Sequence, residues 1–310
     1  MSLRTRAVVL ALFLYYYLSM LKILDGRVVR DKIMADLKKT VGTFKVVPNL
    51  AIIKIGDNPD SAVYVKNKIS FAKKIDVNAY VVYFPPGEIT QEVLLAEIEK
   101  LNKDDAVNGI IIQSPLPEPL NWAEAVEAVV PEKDVDGLTA VNVKKLLGND
   151  LSGFVPATAR GVLSLLNYYE IPIKGKKVVV MGRSALVGKP VANLMQNSGA
   201  TVTVCHSKTV NPEKETREAD ILIVAIGQPE LVGADYVQVG QVVIDVGITS
   251  VINADGTKKV LGDVDFESVK NIVSAISPVP GGVGPMTVAS LFQNLVEAVE
   301  RKNRQDILSV

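Results

Sequence analysis

Two α/β domains, each built on a parallel sheet, are what this sequence predicts, and three observations predict it. Short apolar runs of strand length alternate with longer amphipathic stretches of helix length, the pattern of consecutive βαβ units. The alternation pauses near residue 159 and then begins again. The 310 residues also match two cores at roughly 100–200 residues per domain.

Taken in order, residues 31–40 read as a helix with Ile33, Met34 and Leu37 on one face. The run Leu50-Ala-Ile-Ile-Lys-Ile55 is a buried-type strand closed by Gly56-Asp57-Asn58-Pro59. A helix is expected over 61–75 with Ser61 as its cap, a strand over 79–84, and a helix starting at Thr90. A third strand, 109–113, and a short helix, 122–129, finish the first half. The second half restarts with a helix over 161–169, the strand Lys177–Met181 and a helix over 190–197. Strands at 201–205, 221–225 and 241–245 follow. A last amphipathic helix, 288–301, is expected to pack back on the first domain.

Composition excludes several functions. Apolar residues make up 48% and charged residues 22%, close to globular averages. Lys plus Arg number 34 and Asp plus Glu number 34. A balanced chain has no global pull toward nucleic acid or an anionic membrane, so neither is expected as a partner. Cys205 is the only cysteine and His206 the only histidine. No intrachain disulfide or Cys/His metal cage can form, no metal is expected, and a reducing, cytoplasmic compartment fits.

Residues 1–19 stand apart. Arg4 and Arg6 precede an apolar run over 7–18, shorter than the roughly 20 residues that a spanning helix needs. A signal or anchor, a true start at Met20, and an added apolar helix are three readings; no small-residue cleavage site follows, which favours the start at Met20.

The nucleotide signal lies at Gly182-Arg-Ser-Ala-Leu-Val-Gly188-Lys-Pro190, between a strand and a helix. Such a glycine-bearing turn brings backbone N–H groups and a helix N-terminus to a phosphate. The spacing is neither G-x-G-x-x-G nor a P-loop, and an ordinary tight turn would read the same. The next strand ends in His206-Ser207-Lys208 with no acid to accept from ribose hydroxyls. Arg183, Ser207 and Lys208 would instead hold a 2′-phosphate, which favours NADP over NAD. Gly247, in Asp245-Val-Gly247-Ile248, would allow backbone to approach a ligand.

Four further elements carry the candidate chemistry. Tyr64 and Lys68 are four apart and share a helix face; a desolvated lysine there can move protons, although a surface pair is the plainer reading. Gln113 ends a buried strand, where open sheets bind ligands. Asp136, in Lys133-Asp-Val-Asp136-Gly137, would accept from an aminopyrimidine edge or form an Asx turn. Pro278-Val-Pro280-Gly-Gly-Val-Gly284-Pro-Met-Thr287 is a rigid, close-approach loop. From these residues alone, a different NAD(P) oxidoreductase with the same layout, or a non-catalytic binding protein, stays open.

In this order, however, the runs at 64–68, 109–113, 133–137, 182–184, 204–207, 245–248 and 278–287 resemble one family, the bifunctional methylenetetrahydrofolate dehydrogenase/cyclohydrolases. The likeness covers about residues 21–303. It implies a folate-binding catalytic domain over 20–158, completed by a C-terminal helix over 288–310. A Rossmann-like NADP-binding domain over 159–287 would follow, with a cleft between the domains and a homodimer through the second. It implies that Tyr64 stacks on the folate, that Lys68 is catalytic, that Gln113 holds Lys68 and that Asp136 anchors the pterin. Pro280, Gly281, Gly282, Val283, Gly284 and Thr287 would line the folate site; Gly182, Arg183, Ser184, Ser207 and Ile248 would hold NADP. The implied chemistry oxidises 5,10-methylenetetrahydrofolate to the methenyl form and hydrolyses that to 10-formyltetrahydrofolate. Two departures stand out: Ala157-Thr158-Ala159 replaces the family's frequent Cys-Thr-Pro, and Ser114 replaces an apolar residue after Gln113.

Overall fold

The computed structural model describes residues 21–87, 89–252 and 256–308. The apolar segment within residues 1–19 lies outside the described residues, as do the three readings of it. The described residues divide into two compact units, one within 28–161 and 286–308, the other within 21–27 and 162–285. Each boundary falls inside a helix: α1 (Gly26–Val41), α6 (Ala157–Tyr168) and α10 (Val283–Leu308).

The first unit carries a three-stranded parallel sheet, ordered β3 (Asn78–Phe84), β2 (Asn49–Ile55), β4 (Gly109–Ile112). Its central strand alternates between two cores. Leu50 and Ile52 face one cluster with Phe71 and Phe292. Ala51, Ile53 and Ile55 face another with Leu94 and Ile98. A strand buried on both faces reads as a continuous apolar run, which is why 50–55 is legible without alternation. The Phe71 and Phe292 rings stack with centroids 5.0 Å apart, fastening α2 (Pro59–Lys74) to α10.

Capping residues account for the helix starts. Asn58 caps α2, accepting from the N–H groups of Asp60 and Ser61, so the helix begins two residues earlier than the expected start at Ser61. Thr90 caps α3 (Gln91–Lys103) through the Val93 N–H. Asn121 caps α4 (Trp122–Glu127), and Thr139 caps α5 (Ala140–Leu147), a helix not expected from the sequence.

The second unit carries a six-stranded parallel sheet ordered β1 (Lys22–Ile23), β11 (Ala275–Ile276), β8 (Val242–Asp245), β7 (Ile221–Val224), β5 (Lys177–Met181), β6 (Thr201–Cys205). The order reverses direction at β5, the topological switch point where doubly wound sheets bind ligands. An antiparallel hairpin, β9 (Thr249–Ile252) with β10 (Lys258–Leu261), is added after β8. Helices α7 (Gly188–Asn197), α8 (Pro212–Arg217) and α9 (Phe266–Val269) complete the unit.

The observed units differ by a few residues from the expected boundaries at 158/159 and 287/288. Residues 21–27, expected with the first domain, group with the second unit because β1 pairs with β11. A two-residue strand has no periodicity to read, so only its pairing reveals it.

Candidate active site

Lys68 sits on the inner face of α2, buried, and its Nζ donates to Oε1 of Gln113 at 2.8 Å. Gln113 follows the last residue of β4, and its amide Nε2 donates to the Ser114 carbonyl at 2.9 Å. That second bond fixes the amide orientation, leaving the oxygen for the lysine. Ser61 ties the same loop to α2, its hydroxyl donating to the Ser114 carbonyl at 3.2 Å.

Burial drives the Lys68 pKa below the ordinary lysine value, while the charge of Asp136 opposes that shift. Burial also pushes the Asp136 carboxyl above its usual range, offset by Lys68 and reinforced by Asp134. The unit therefore brings together a lysine and a carboxyl whose charged forms are both disfavoured by desolvation, with an amide holding the lysine. Tyr64 lies one turn before Lys68 and is 41% exposed.

The Asx turn read from Asp136 belongs to Asp134 instead. The buried Asp134 carboxylate accepts from the N–H groups of Gly137, Leu138 and Thr139 and from Asn142 Nδ2. Asp136 is thereby left out of the turn. Gly137 is required there: its φ is +72°, and a Cβ would meet the Pro156 nitrogen at 2.8 Å. Asn294 of α10 supports the same loop, donating to the carbonyls of Val135 at 2.8 Å and Val155 at 2.9 Å. Asp134 and Asn294 brace the loop that carries Asp136, and the sequence reading did not select them. An Asp with Gly three residues later was a usable signal for the first; a lone amide in an amphipathic helix was none for the second. Of the departing residues, Ala157 and Ala159 are buried, and Thr158 lies between them with its hydroxyl 3.3 Å from that of Thr287.

In the second unit, Gly182 leaves β5 with φ +118°, and a Cβ there would stand 2.0 Å from the Ala225 carbonyl oxygen. A Cβ on Gly188 would strike the Gly182 carbonyl at 2.3 Å. Both glycines are thus demanded by backbone crossing backbone at the switch point. Ser184 Oγ accepts from the N–H groups of Val187 and Gly188 at 3.3 Å, closing the turn before α7. Arg183 and Ser184 are exposed at the end of β5, Ser207 and Lys208 at the end of the neighbouring β6. His206 Nδ1 accepts from the Lys208 N–H, which fixes that loop.

Ile248 is 43% exposed and would meet a Cβ on Gly284 at 3.0 Å. Gly247, read as a point of ligand approach, has another cause: a Cβ would fall 2.3 Å from the Asp263 carboxyl carbon. Asp245 accepts from the N–H groups of Gly247, Asp263 and Val264, and Asp263 accepts from those of Ile226 and Gly227. This buried carboxylate pair ties together the loops after β7 and β8. Burial pushes the Asp245 carboxyl up to about 7, against the three N–H bonds.

The segment 280–287, expected to be loop throughout, is loop only as far as Gly282, because the last helix starts at Val283, five residues before the expected 288; Pro280, Gly281, Gly282, Val283 and Gly284 group with the second unit, Thr287 with the first. Gly281 has φ +115°, and its carbonyl accepts from the Gly26 N–H. Among the described residues, no group of His, Cys, Asp and Glu could hold a metal ion, and no helix is long and apolar enough to cross a membrane.

A switch-point glycine turn in one unit, and a buried lysine bonded to an amide and within the field of a carboxyl in the other, are features of a dinucleotide-dependent enzyme. The comparisons name the family. Residues 24–136 match the tetrahydrofolate dehydrogenase/cyclohydrolase catalytic domain and residues 156–303 the NAD(P)-binding domain of the same enzymes. The bifunctional protein FolD of Lacticaseibacillus paracasei is 48% identical over 282 residues, covering 90% of this chain and 98% of that protein. The crystal structure of FolD from Campylobacter jejuni is 42% identical with a TM-score of 0.87, covering 91% of this chain and 99% of that one. The FolD structure from Trypanosoma brucei, complexed with NADP cofactor and an inhibitor, is 37% identical with a TM-score of 0.86, covering 92% and 99%. The chain belongs to the tetrahydrofolate dehydrogenase/cyclohydrolase family.

Proposed function

We propose that this chain oxidises 5,10-methylenetetrahydrofolate to 5,10-methenyltetrahydrofolate with NADP and hydrolyses the product to 10-formyltetrahydrofolate. The observation that carries the reading is the buried Lys68 ammonium, lowered in proton affinity and held on Gln113. In its neutral form Lys68 takes a proton at Nζ from the water that adds to the methenyl carbon, and the ammonium so formed returns a proton to the pterin-side nitrogen as its bond to that carbon breaks, the hydroxyl proton of the intermediate leaving to solvent. Gln113 orients Lys68. Asp136 accepts from the aminopyrimidine edge of the pterin, and Tyr64 offers its exposed ring to stack on it. Pro280, Gly281, Gly282, Val283, Gly284 and Thr287 complete the folate site, the glycines presenting bare backbone.

NADP fits the residues of the second unit. The Gly182 turn has no room for a Cβ, which leaves its backbone bare at the switch point. Gly182, Arg183, Ser184 and Ile248 hold the dinucleotide, with Ser207 and Lys208 at the 2′-phosphate; no acid stands there to repel it. NADP, when bound, supplies the hydride acceptor.

We also infer a cytoplasmic homodimer joined through the second unit. Support comes from the family resemblance, from the open sheet edge at β6, where Val204 is 39% exposed, and from a single cysteine that is buried. A coupled assay tests the activity: 5,10-methylenetetrahydrofolate with NADP, then with NAD, followed by absorbance of the reduced cofactor and of the methenyl product. Turnover with preference for NADP supports the reading; absence of both signals overturns it.

A further inference from the structure

The first unit contains a cavity of about 730 Å³ that none of the proposed catalytic residues lines. It opens beside Val107 and Asn108, immediately before β4, whereas Gln113 follows the other end of that strand. Asn108 and Gln113 are therefore roughly 16 Å apart along the strand, at about 3.3 Å per residue. The cavity is a place apart from the Lys68 site.

Its lining is strongly cationic. Lys133, Lys145, Arg301, Lys302 and Arg304 surround it, against one acid, Glu132. Two of the cations are fixed. Lys133 Nζ donates to the carbonyls of Leu101, Asn102 and Asp104. Arg301 lies over the Phe154 ring at 4.5 Å, donates to the Gly153 carbonyl at 3.2 Å and is ion-paired with Glu297 at 2.7 Å. The other three are available. The Lys145 stem lies against Gly153, and its charge acts on the exposed Asp150 only at a distance. Lys302 reaches the fully exposed Asp105 carboxylate at 3.5 Å and donates to its carbonyl at 3.1 Å, and Arg304 reaches Glu300 at 3.7 Å. Exposed pairs of this kind contribute about 0–1 kcal/mol and exchange readily for a better anion. Burial lowers the Lys133 pKa and the like charge of Lys302 lowers it further, a repulsion that the charges of Asp104 and Asp105 partly offset. An anion between them would relieve that repulsion. Val130 and Pro131 add an apolar wall.

We propose that this cavity binds an organic polyphosphate, with the phosphates on Lys145, Lys302 and Arg304 and any non-polar body against Val130 and Pro131. Its volume exceeds what one inorganic phosphate fills, and several cations line it, which suits a chain of phosphates. The proposal stands independently of the folate activity.

The test is calorimetric titration of the full chain with inorganic tripolyphosphate and with ATP, NADP being present in excess to occupy the dinucleotide site. One equivalent should bind, more weakly as salt rises. The Lys145→Ala/Arg304→Ala double variant should bind at least about tenfold more weakly, with dehydrogenase kcat/KM unchanged. ATP binding more tightly than tripolyphosphate assigns the apolar wall to the base; equal affinities place recognition in the phosphates alone. No heat at millimolar probe, affinity unaltered in the double variant, or competition with NADP overturns the proposal. Thermal unfolding of the variant coincident with wild type shows that lost binding is not lost folding.

Discussion

The Lys68 ammonium donates a 2.8 Å hydrogen bond to Gln113 Oε1, with both side chains buried. Lys68→Met should abolish cyclohydrolase activity, losing at least the roughly 10²–10⁴-fold that a positioned proton carrier contributes. Folding should survive, because the thioether side chain matches the lysine stem and removes a desolvated charge. The orphaned Gln113 oxygen costs about 1–3 kcal/mol. Consumption of methenyltetrahydrofolate at the wild-type rate by a folded Lys68→Met protein would refute the role given to Lys68.

The Asp136 charge raises the Lys68 pKa against desolvation. Removing it in Asp136→Asn should let the lysine pKa fall further. The limb of the cyclohydrolase pH–rate profile that reports neutral Lys68 then moves to lower pH. A limb that stays in place, or moves up, contradicts the coupling. The substitution should also raise the folate KM through the lost pterin contact, which separates its two effects.

Asn294 is wholly buried and bonds the Val135 and Val155 carbonyls and Arg160. Asn294→Leu strands two carbonyls, at about 1–3 kcal/mol each. Urea unfolding should show a loss of about 2–5 kcal/mol, together with a fall in kcat because Val135 adjoins Asp136. A change within experimental scatter in both would show that the α10 amide does not support the loop.

Gly182→Ala should prevent NADP binding and destabilise the second unit, since its Cβ would overlap the Ala225 carbonyl. Gly240→Ala is the control: its φ is +84° but nothing lies within 4 Å, so only about 1 kcal/mol of backbone strain is expected. Fluorescence titration with NADPH distinguishes them, and equal binding by both variants would disprove the crowding argument.

Asp245 has a folded pKa of about 7 against an ordinary value of 3.8. The native state therefore holds a proton that the unfolded chain has released. Its contribution is fully present below the unfolded value and is lost as pH rises toward the folded one, by on the order of 4 kcal/mol. Asp245→Asn has no such titration. The stability of the variant relative to wild type should thus improve steadily from about pH 4.5 to about pH 8 in denaturant unfolding. A pH-independent difference excludes an elevated Asp245 pKa.

Much of this was readable from the chain. Strands buried on both faces, such as β2 and β5, announce themselves as unbroken apolar runs, and the Gly182 turn stands at a strand–helix junction. The α2 start was misread because Ser61 and Asn58 are both good caps, and only the side-chain bond chooses between them. The short β1 and the β9–β10 hairpin lack any local signature, since their pairing partners create them.

Sequence by itself determined the alternation of strands and helices and the family, and it singled out Lys68, Gln113 and Asp136 as candidates, because residue type and order are local properties. Tertiary structure alone decided that Lys68 is buried on Gln113, that Asp134 rather than Asp136 makes the turn, and that Asp245 and Asp263 crowd Gly247 and Gly262. Burial and hydrogen-bond partnership are set by residues far apart along the chain, and desolvation, which tunes these groups, exists only once those residues have met.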